Sequence, residues 1–352
     1  MLLEGIFAAA TTPFYPDGRL YLRKLEHNID HYSRTPIAGI VILGSTGEGV
    51  MLGDEETREV LRTARESAAP EKVLLAGVGR ESALETIKLA EFAAMQNYDA
   101  ALVRTPNYYS PQMRPLEMLT YFRTVADHSP LPVVLYTIPR YTHYDLATEL
   151  IAELARHPNI IGLKDSSGNL ERLAKTVEAT RSAPKRATAV TNVFTAFTNR
   201  MQLAQSLDAP TFVPAGTLGS NATAIAVPPP KPKIATRIKE VGFQVLTGSA
   251  DTLTESLEFG VSGAVLGFAA CAPQACQEIY TAWKDNDPKL AAEKQKRIAE
   301  ASRLIAGHYG VPGIKFACEL NGYYGGRPRL PLLPLNAEDQ AHVTQLLVDI
   351  RN

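Results

Sequence analysis

Asn159-Ile160-Ile161-Gly162-Leu163-Lys164 is an apolar run without alternation that ends on a lysine. A strand covered on both faces has this composition, and such strands belong to parallel sheets. Similar runs occur on both sides of it. The reading gives strands at 5–11, 37–43, 72–77, 99–104, 132–136, 160–164, 243–247 and 262–267. The segments between them have helical spacing and caps, as where Asp54-Glu55-Glu56 precedes Val60 and Leu61. Strand and helix alternating eight times predict a closed (β/α)8 TIM barrel. The doubly wound alternative lacks its signature, because no GxGxxG follows the first strand and no GxxxxGK[ST] appears.

Strand starts fall roughly 27 to 35 residues apart through the sixth, and then a gap of 83 separates 160 from 243. A βα unit needs about 30 residues. The excess predicts an insertion at about 184–241, between strands six and seven, carrying the stiff stretch Pro228-Pro229-Pro230-Lys231-Pro232. Because it precedes a strand, it is expected at the N-terminal face of the barrel. Residues 1–271 are read as the barrel domain. Residues 272–352 are read as a C-terminal helical extension, with amphipathic stretches near 273–285, 288–306, 313–321 and 337–350.

The chain has 352 residues, a formal net charge of −1 and 45% hydrophobic residues. That balance offers no electrostatic reason to bind nucleic acid or an anionic membrane. No run approaches the roughly 20 apolar residues of a membrane span, and Met1-Leu2-Leu3-Glu4 starts no signal-like segment. A cytoplasmic protein is expected. Cys271, Cys276 and Cys318 form no CxxC pair and no zinc spacing, and the seven histidines show neither HxH nor HExxH. Neither a disulfide framework nor a metal site is expected.

The residues able to carry chemistry fall at the C-terminal ends of different strands, where barrel enzymes keep their catalytic groups. Lys164 ends strand six; burial favours the neutral, nucleophilic amine of a lysine over its ammonium form. Gly44-Ser45-Thr46-Gly47-Glu48 follows strand two, and its N–H groups and hydroxyls suit a carboxylate. Glu48 reads as a carboxylate at a helix N-terminus. Tyr136 ends strand five and can relay protons. Thr105-Pro106-Asn107-Tyr108-Tyr109 adds two more phenols after strand four. A lysine, an anion nest and phenols without a metal suit imine chemistry on a small 2-oxo acid.

These stretches, together with Leu135-Tyr136-Thr137-Ile138-Pro139 and Gly162-Leu163-Lys164-Asp165, resemble the dihydrodipicolinate synthase / N-acetylneuraminate lyase family over about 4–182 and 242–340. The resemblance implies that Lys164 forms a Schiff base with pyruvate and that Tyr136 is the relay phenol. It implies that Ser45 and Thr46 hold the pyruvate carboxylate, and that Gly248 and the backbone carbonyl of Val265 line the pocket. Tyr108 matches a tyrosine that reaches into the neighbouring subunit's site, so a homodimer or homotetramer is implied. No cofactor is implied, because the lysine supplies the electrophile.

Leu163-Lys164-Asp165-Ser166-Ser167-Gly168, Phe243–Ala250, Gly310-Val311-Pro312-Gly313-Ile314-Lys315 and Gly322-Tyr323-Tyr324-Gly325-Gly326 resemble the 4-hydroxy-2-oxoglutarate aldolase branch, which puts Ser166 near the substrate. Dihydrodipicolinate synthases carry an arginine where this chain has Tyr141; Arg140 lies one residue earlier and is expected to point elsewhere. The leading expectation is therefore cleavage or formation of a 4-hydroxy-2-oxo acid, with pyruvate as one partner and an aldehyde or oxo acid as the other. The alternatives are condensation of pyruvate with aspartate semialdehyde, and a silent member that only binds a 2-oxo acid.

Overall fold

In a computed structural model, residues 2–191 and 236–350 are described. Eight parallel strands close a barrel: β1 (Gly5–Ala9), β2 (Gly39–Ile42), β3 (Val73–Gly77), β4 (Ala100–Arg104), β5 (Val133–Thr137), β6 (Ile160–Asp165), β9 (Gln244–Thr247) and β10 (Gly263–Leu266). β10 pairs with β1 to complete the ring. All eight expected strands are found. The TIM barrel, the helices beyond it and the insertion before its seventh strand are as the sequence predicts.

The helices are α1 (Leu22–Ser33), α2 (Asp54–Ser67), α3 (Ala83–Met95), α4 (Pro115–His128), α5 (Pro139–Thr142), α6 (Thr148–Leu154), α7 (Leu170–Thr180), α8 (Leu253–Glu258), α9 (Pro273–Lys284), α10 (Pro288–Ser302), α11 (Gly310–Leu320) and α12 (Ala337–Leu346). α2 shows why such segments fold as they do. Asp54, Glu55 and Glu56 fill its first turn, Glu56 Oε2 accepts the Gly53 N–H at 3.1 Å, and Val60, Leu61 and Ala64 form its buried stripe. α9 follows the eighth strand and packs on β1, with Tyr280 and Lys284 both reaching Glu4. It occupies the position of the ring's eighth helix. The boundary expected at 271/272 therefore falls before that helix rather than after it, and the segments that cover the barrel from outside the ring follow residue 284. A π-helical turn, Arg303–His308, splits the stretch that the sequence reads as one helix to residue 306.

Two hydrophobic cores are separated by the barrel wall. One fills the interior with Phe7, Val41, Leu102, Val134, Ile161, Leu246 and Val265; the larger one lies between strands and helices. β5 and β6 are joined with an irregularity that matters later. Val133 pairs with Ile160, but Val134 pairs with Gly162, so Ile161 is an extra residue.

The ends of the insertion form an antiparallel ribbon of β7 (Arg186–Thr191) and β8 (Thr236–Val241). Arg186 donates to the carbonyls of His157, Pro158 and Ile160 at the start of β6. Lys239 lies 3.5 Å from Glu4, just before β1. The ribbon thus leaves from the N-terminal face, as expected. The Pro-rich stretch lies outside the described residues. Thr191 pairs with Thr236, so an Asn-Gly turn in place of residues 192–235 closes the ribbon as a two-residue hairpin. That variant is expected to stay folded and to keep any chemistry of the opposite face. Thermal unfolding and the trapping assay below check this, and lost trapping in a folded variant would place the segment at the site.

Among the described residues no helix is long and apolar enough to cross a membrane.

Candidate active site

β5 and β6 set the centre of the site. In β5, Val134 and Tyr136 face the barrel interior. In β6, Ile160 and Leu163 face the helices while Ile161 faces inward. Strict alternation from Ile161 would turn Lys164 outward. The extra residue resets the phase, so Gly162 lies opposite Val134 and Lys164 opposite Tyr136. A side chain at 162 would collide with the Gln244 carbonyl of the next strand, which is why a glycine follows the bulge. Lys164 is consequently only 4% exposed, with Nζ 4.2 Å from the centre of the Tyr136 ring. Among the described residues no carboxylate lies within ion-pair distance of it. A buried amine without a counter-ion is costly to a fold and has its use in chemistry.

Tyr136 is also buried, and its hydroxyl lies 3.2 Å from Ser45 Oγ. Ser45 sits on the turn after β2, which Leu43 and Glu48 bracket in the left-handed region with φ of 61° and 54°. Thr12 Oγ1 donates to the Gly47 carbonyl at 2.5 Å and fixes the turn from β1's side. Thr46 is buried against Gly267 at the end of β10. The structure therefore brings Lys164, Tyr136 and Ser45 together, with Thr46 beside them.

Asp165 faces the helices. It pairs with Arg172 of α7, and its Oδ1 accepts the Ser167 N–H at 2.8 Å. This shapes the loop that carries Ser166, whose N–H donates to the Thr137 carbonyl at 3.0 Å. Gly248 N–H donates to the Asp165 carbonyl at 2.6 Å and packs so closely on Ser166 that a Cβ at 248 would overlap Ser166 Oγ. Ser166 and Gly248 are thus neighbours beyond β6 and β9. Val265 is fully buried in the interior core that includes Tyr136.

Glu48 departs from its expected role. It is 2% exposed, and its Oε1 lies 2.6 Å from Lys315 Nζ, with both side chains sealed from solvent. Its Oε2 accepts the Arg329 N–H at 2.7 Å. Lys315 also donates to the Arg327 carbonyl, and its Nζ sits 4.4 Å from the Phe14 ring centre. Burial pushes the Lys315 amine down, and Glu48 offsets part of this. The carboxylate is committed to a buried pair under the turn rather than to a helix end.

Above Tyr136 and Ser45 opens a cleft of about 610 Å³. Apolar walls come from Val50, Met51, Ile138, Val311 and Leu332; charge comes from Arg80, Arg104, Arg140, Glu48 and Glu81. Arg104 ends β4 opposite Tyr136. It lies 2.9 Å from Glu81, whose other oxygen accepts the N–H groups of Asn107 and Tyr108. Burial raises the Glu81 carboxyl, but those two N–H donors and Arg104 outweigh it and hold it below the usual carboxylate range.

Tyr108 lines the outer cleft and is 77% exposed, and Tyr109 stacks edge-on beside it. Among the described residues the hydrogen bond of the Tyr136 hydroxyl is to Ser45, not to Tyr108. Arg140 and Tyr141 both line the cleft, with the guanidinium 5.6 Å from the Tyr141 ring centre. The expectation that these neighbours diverge is corrected: the short helix α5 turns both toward the opening.

The sequence reading passed over Arg104, Arg80, Glu81 and Lys315. Arg104 had a signal, since it ends a predicted strand at the active face. Lys315 lay inside a quoted stretch but had no assigned role.

The chain is similar to known proteins in both sequence and fold. The family model described as "Dihydrodipicolinate synthetase family" matches residues 2–185 and 232–350, which leaves out most of the insertion. A 4-hydroxy-tetrahydrodipicolinate synthase of Methanothrix thermoacetophila is 28% identical over 346 residues, covering 98% of this chain and 96% of that protein. Another from Xanthomonas campestris pv. campestris is 40% identical over 177 residues, covering 50% and 58%. Among solved structures, YagE from E. coli K12, a dihydrodipicolinic acid synthase family protein in complex with pyruvate, superposes with a TM-score of 0.77 at 26% identity, covering 99% of each chain.

Proposed function

Since the chain belongs to the dihydrodipicolinate synthetase family, whose members include class I aldolases and lyases, we propose that it joins pyruvate to an aldehyde through a Schiff base on Lys164. One observation carries this reading. Lys164 is a buried amine without a carboxylate partner among the described residues, held 4.2 Å from the ring of Tyr136, which itself lines the open cleft. Lys164 Nζ attacks the 2-oxo carbon, and loss of water leaves an iminium. The iminium draws electrons from C3, a proton leaves C3, and the enamine attacks the aldehyde carbonyl. Hydrolysis then frees the product and the lysine.

Tyr136 and Ser45 carry protons to and from the substrate oxygens. Ser45, with the N–H groups of its turn, receives the pyruvate carboxylate beside Thr46. Ser166, Gly248 and the Val265 carbonyl complete the pocket. Neither a metal nor a further cofactor has a part in these steps. Tyr108 and Tyr109 stand exposed at the cleft mouth, where a second copy of the chain would cover them; a homodimer or homotetramer is part of the proposal.

The acceptor is the finer question. The curated relatives are named 4-hydroxy-tetrahydrodipicolinate synthase, which puts aspartate semialdehyde ahead of the 4-hydroxy-2-oxoglutarate cleavage that leads on sequence grounds. The cleavage reading keeps one observation of its own: Tyr141 stands where the synthases' arginine would be. Pyruvate with borohydride is expected to leave a permanent adduct on Lys164, located by peptide mass. An unmodified Lys164 would sink the mechanism and leave the silent binding protein. Product formation from pyruvate and aspartate semialdehyde, measured beside cleavage of 4-hydroxy-2-oxoglutarate, separates the two reactions. Tyr136→Phe removes only the hydroxyl. It is expected to lower kcat by about 10²- to 10⁴-fold while the adduct still forms, more slowly; an unchanged kcat would remove Tyr136 from the proton path.

A further inference from the structure

We propose that Arg80 is the residue that binds the carboxylate of the second substrate, and so sets a preference for anionic over neutral aldehydes; this rests on the pyruvate imine proposed above. Charge in the cleft is not balanced. Of its two acids, Glu48 is committed to Lys315 and Glu81 to Arg104. Those pairs remove Arg104 from the account as well. Arg140 is an exposed rim cation stacked on Tyr141, where water screens it. Arg80 is different. It is half-buried, and among the described residues no carboxylate comes within ion-pair distance of it. Among the described residues its guanidinium donates to Thr57 Oγ1 at 3.2 Å and to its neighbour's carbonyl, that of Gly79, at 3.4 Å. Five N–H donors serve two acceptors, so three remain for a ligand.

The residue is also fixed in place. Its N–H donates to Thr86 Oγ1 at 2.9 Å, and its carbonyl accepts the Tyr121 hydroxyl at 2.8 Å. Gly79 before it packs on Arg104 so closely that a Cβ would stand 2.7 Å from the Arg104 nitrogen. Arg104 is the register partner of Tyr136, and Tyr136 of Lys164. Arg80 therefore stands at the wall of the same cleft, three strands round the barrel from the nucleophile. Burial is the largest influence and weakens its hold on its proton; the charge of Asp54 opposes this, that of Arg104 adds to it, and that of Glu85 opposes it more weakly. A held, partly desolvated guanidinium with free donors is prepared for a planar carboxylate.

The test uses the full chain and purified Arg80→Gln, Arg80→Lys and Arg140→Gln variants. Each is assayed with pyruvate and with two carboxylate aldehydes, aspartate semialdehyde and glyoxylate, beside two neutral ones, glycolaldehyde and propionaldehyde. Arg80→Gln is expected to lower kcat/KM at least about tenfold for the carboxylate aldehydes. It should change the neutral pair less than about twofold and leave the pyruvate KM and borohydride trapping intact. Arg80→Lys, which keeps charge but not the fork, should fall between. Equal losses for both aldehyde classes, or a selective loss in Arg140→Gln but not in Arg80→Gln, overturns the assignment. So does a wild-type protein that traps pyruvate yet shows no preference for the carboxylate aldehydes. Absence of trapping in the wild type is a separate result: it overturns the imine reading whatever Arg80 does.

Discussion

Lys164→Met is expected to abolish both the borohydride adduct and turnover, with kcat falling by at least about 10³-fold, while the protein remains as stable as the parent. The two halves of this prediction rest on the same observation. The amine is 4% exposed and faces an aromatic ring, with no carboxylate in ion-pair range among the described residues. For stability that is a poor arrangement, because replacing a buried ionisable group by an apolar one of similar volume is often neutral or favourable. For chemistry it is the needed one, because only an amine that spends time unprotonated can attack a carbonyl. A structural lysine would show the opposite pattern, with lost stability and retained turnover. Denaturant unfolding beside the kinetics distinguishes them, and retained turnover in the variant would show that Lys164 is not the nucleophile.

The face on which Lys164 lies could not be read from the sequence. The run Asn159–Lys164 is apolar throughout, so its composition announces a strand but leaves no alternation to tell inside from outside. The bulge at Ile161 decides it, and a bulge is a property of two paired strands. Eight strand positions, by contrast, were legible, because each lies between turn signals in a run of its own. Lys164, Tyr136 and Ser45 were found as strand-end residues one by one, but their contact required the barrel to close.

Glu48 and Lys315 show the limit most clearly. Each belonged to a recognised stretch, yet only the closed barrel with its outer helices shows that they pair. Arg80 follows a strand end as plainly as Ser45 does. Its significance depends on which acids are already paired, and those pairs form only in the closed barrel. The ninth helix was read as part of an extension because nothing in its sequence says that β1 is waiting beneath it.

Lys315→Met is expected to cost about 3–5 kcal/mol of folding stability, the usual loss when one partner of a buried ion pair is removed and the other is left uncompensated. Lys315 and Glu48 are 0% and 1% exposed at the side chain and 2.6 Å apart. Glu48 is also held at a φ of 54° at the end of the turn that carries Ser45 and Thr46. An uncompensated Glu48 is relieved by taking up a proton or by leaving its pocket for water, and the second response opens the turn. The single variant should therefore raise the KM for pyruvate as well as lower stability.

The double variant Glu48→Gln with Lys315→Met removes both charges and keeps a side-chain amide oxygen to accept the Arg329 N–H that Glu48 now accepts. It should regain most of the lost stability, since a neutral pair of similar volume needs no desolvated charge, and the KM for pyruvate should return toward the parent value. Chemical denaturation of all four proteins gives the coupling energy directly. A loss in Lys315→Met of less than about 1 kcal/mol, or additive effects in the cycle, would mean that the pair does not hold the turn. Recovered stability with an unrecovered KM would instead place the charge of Glu48 itself in the binding of pyruvate.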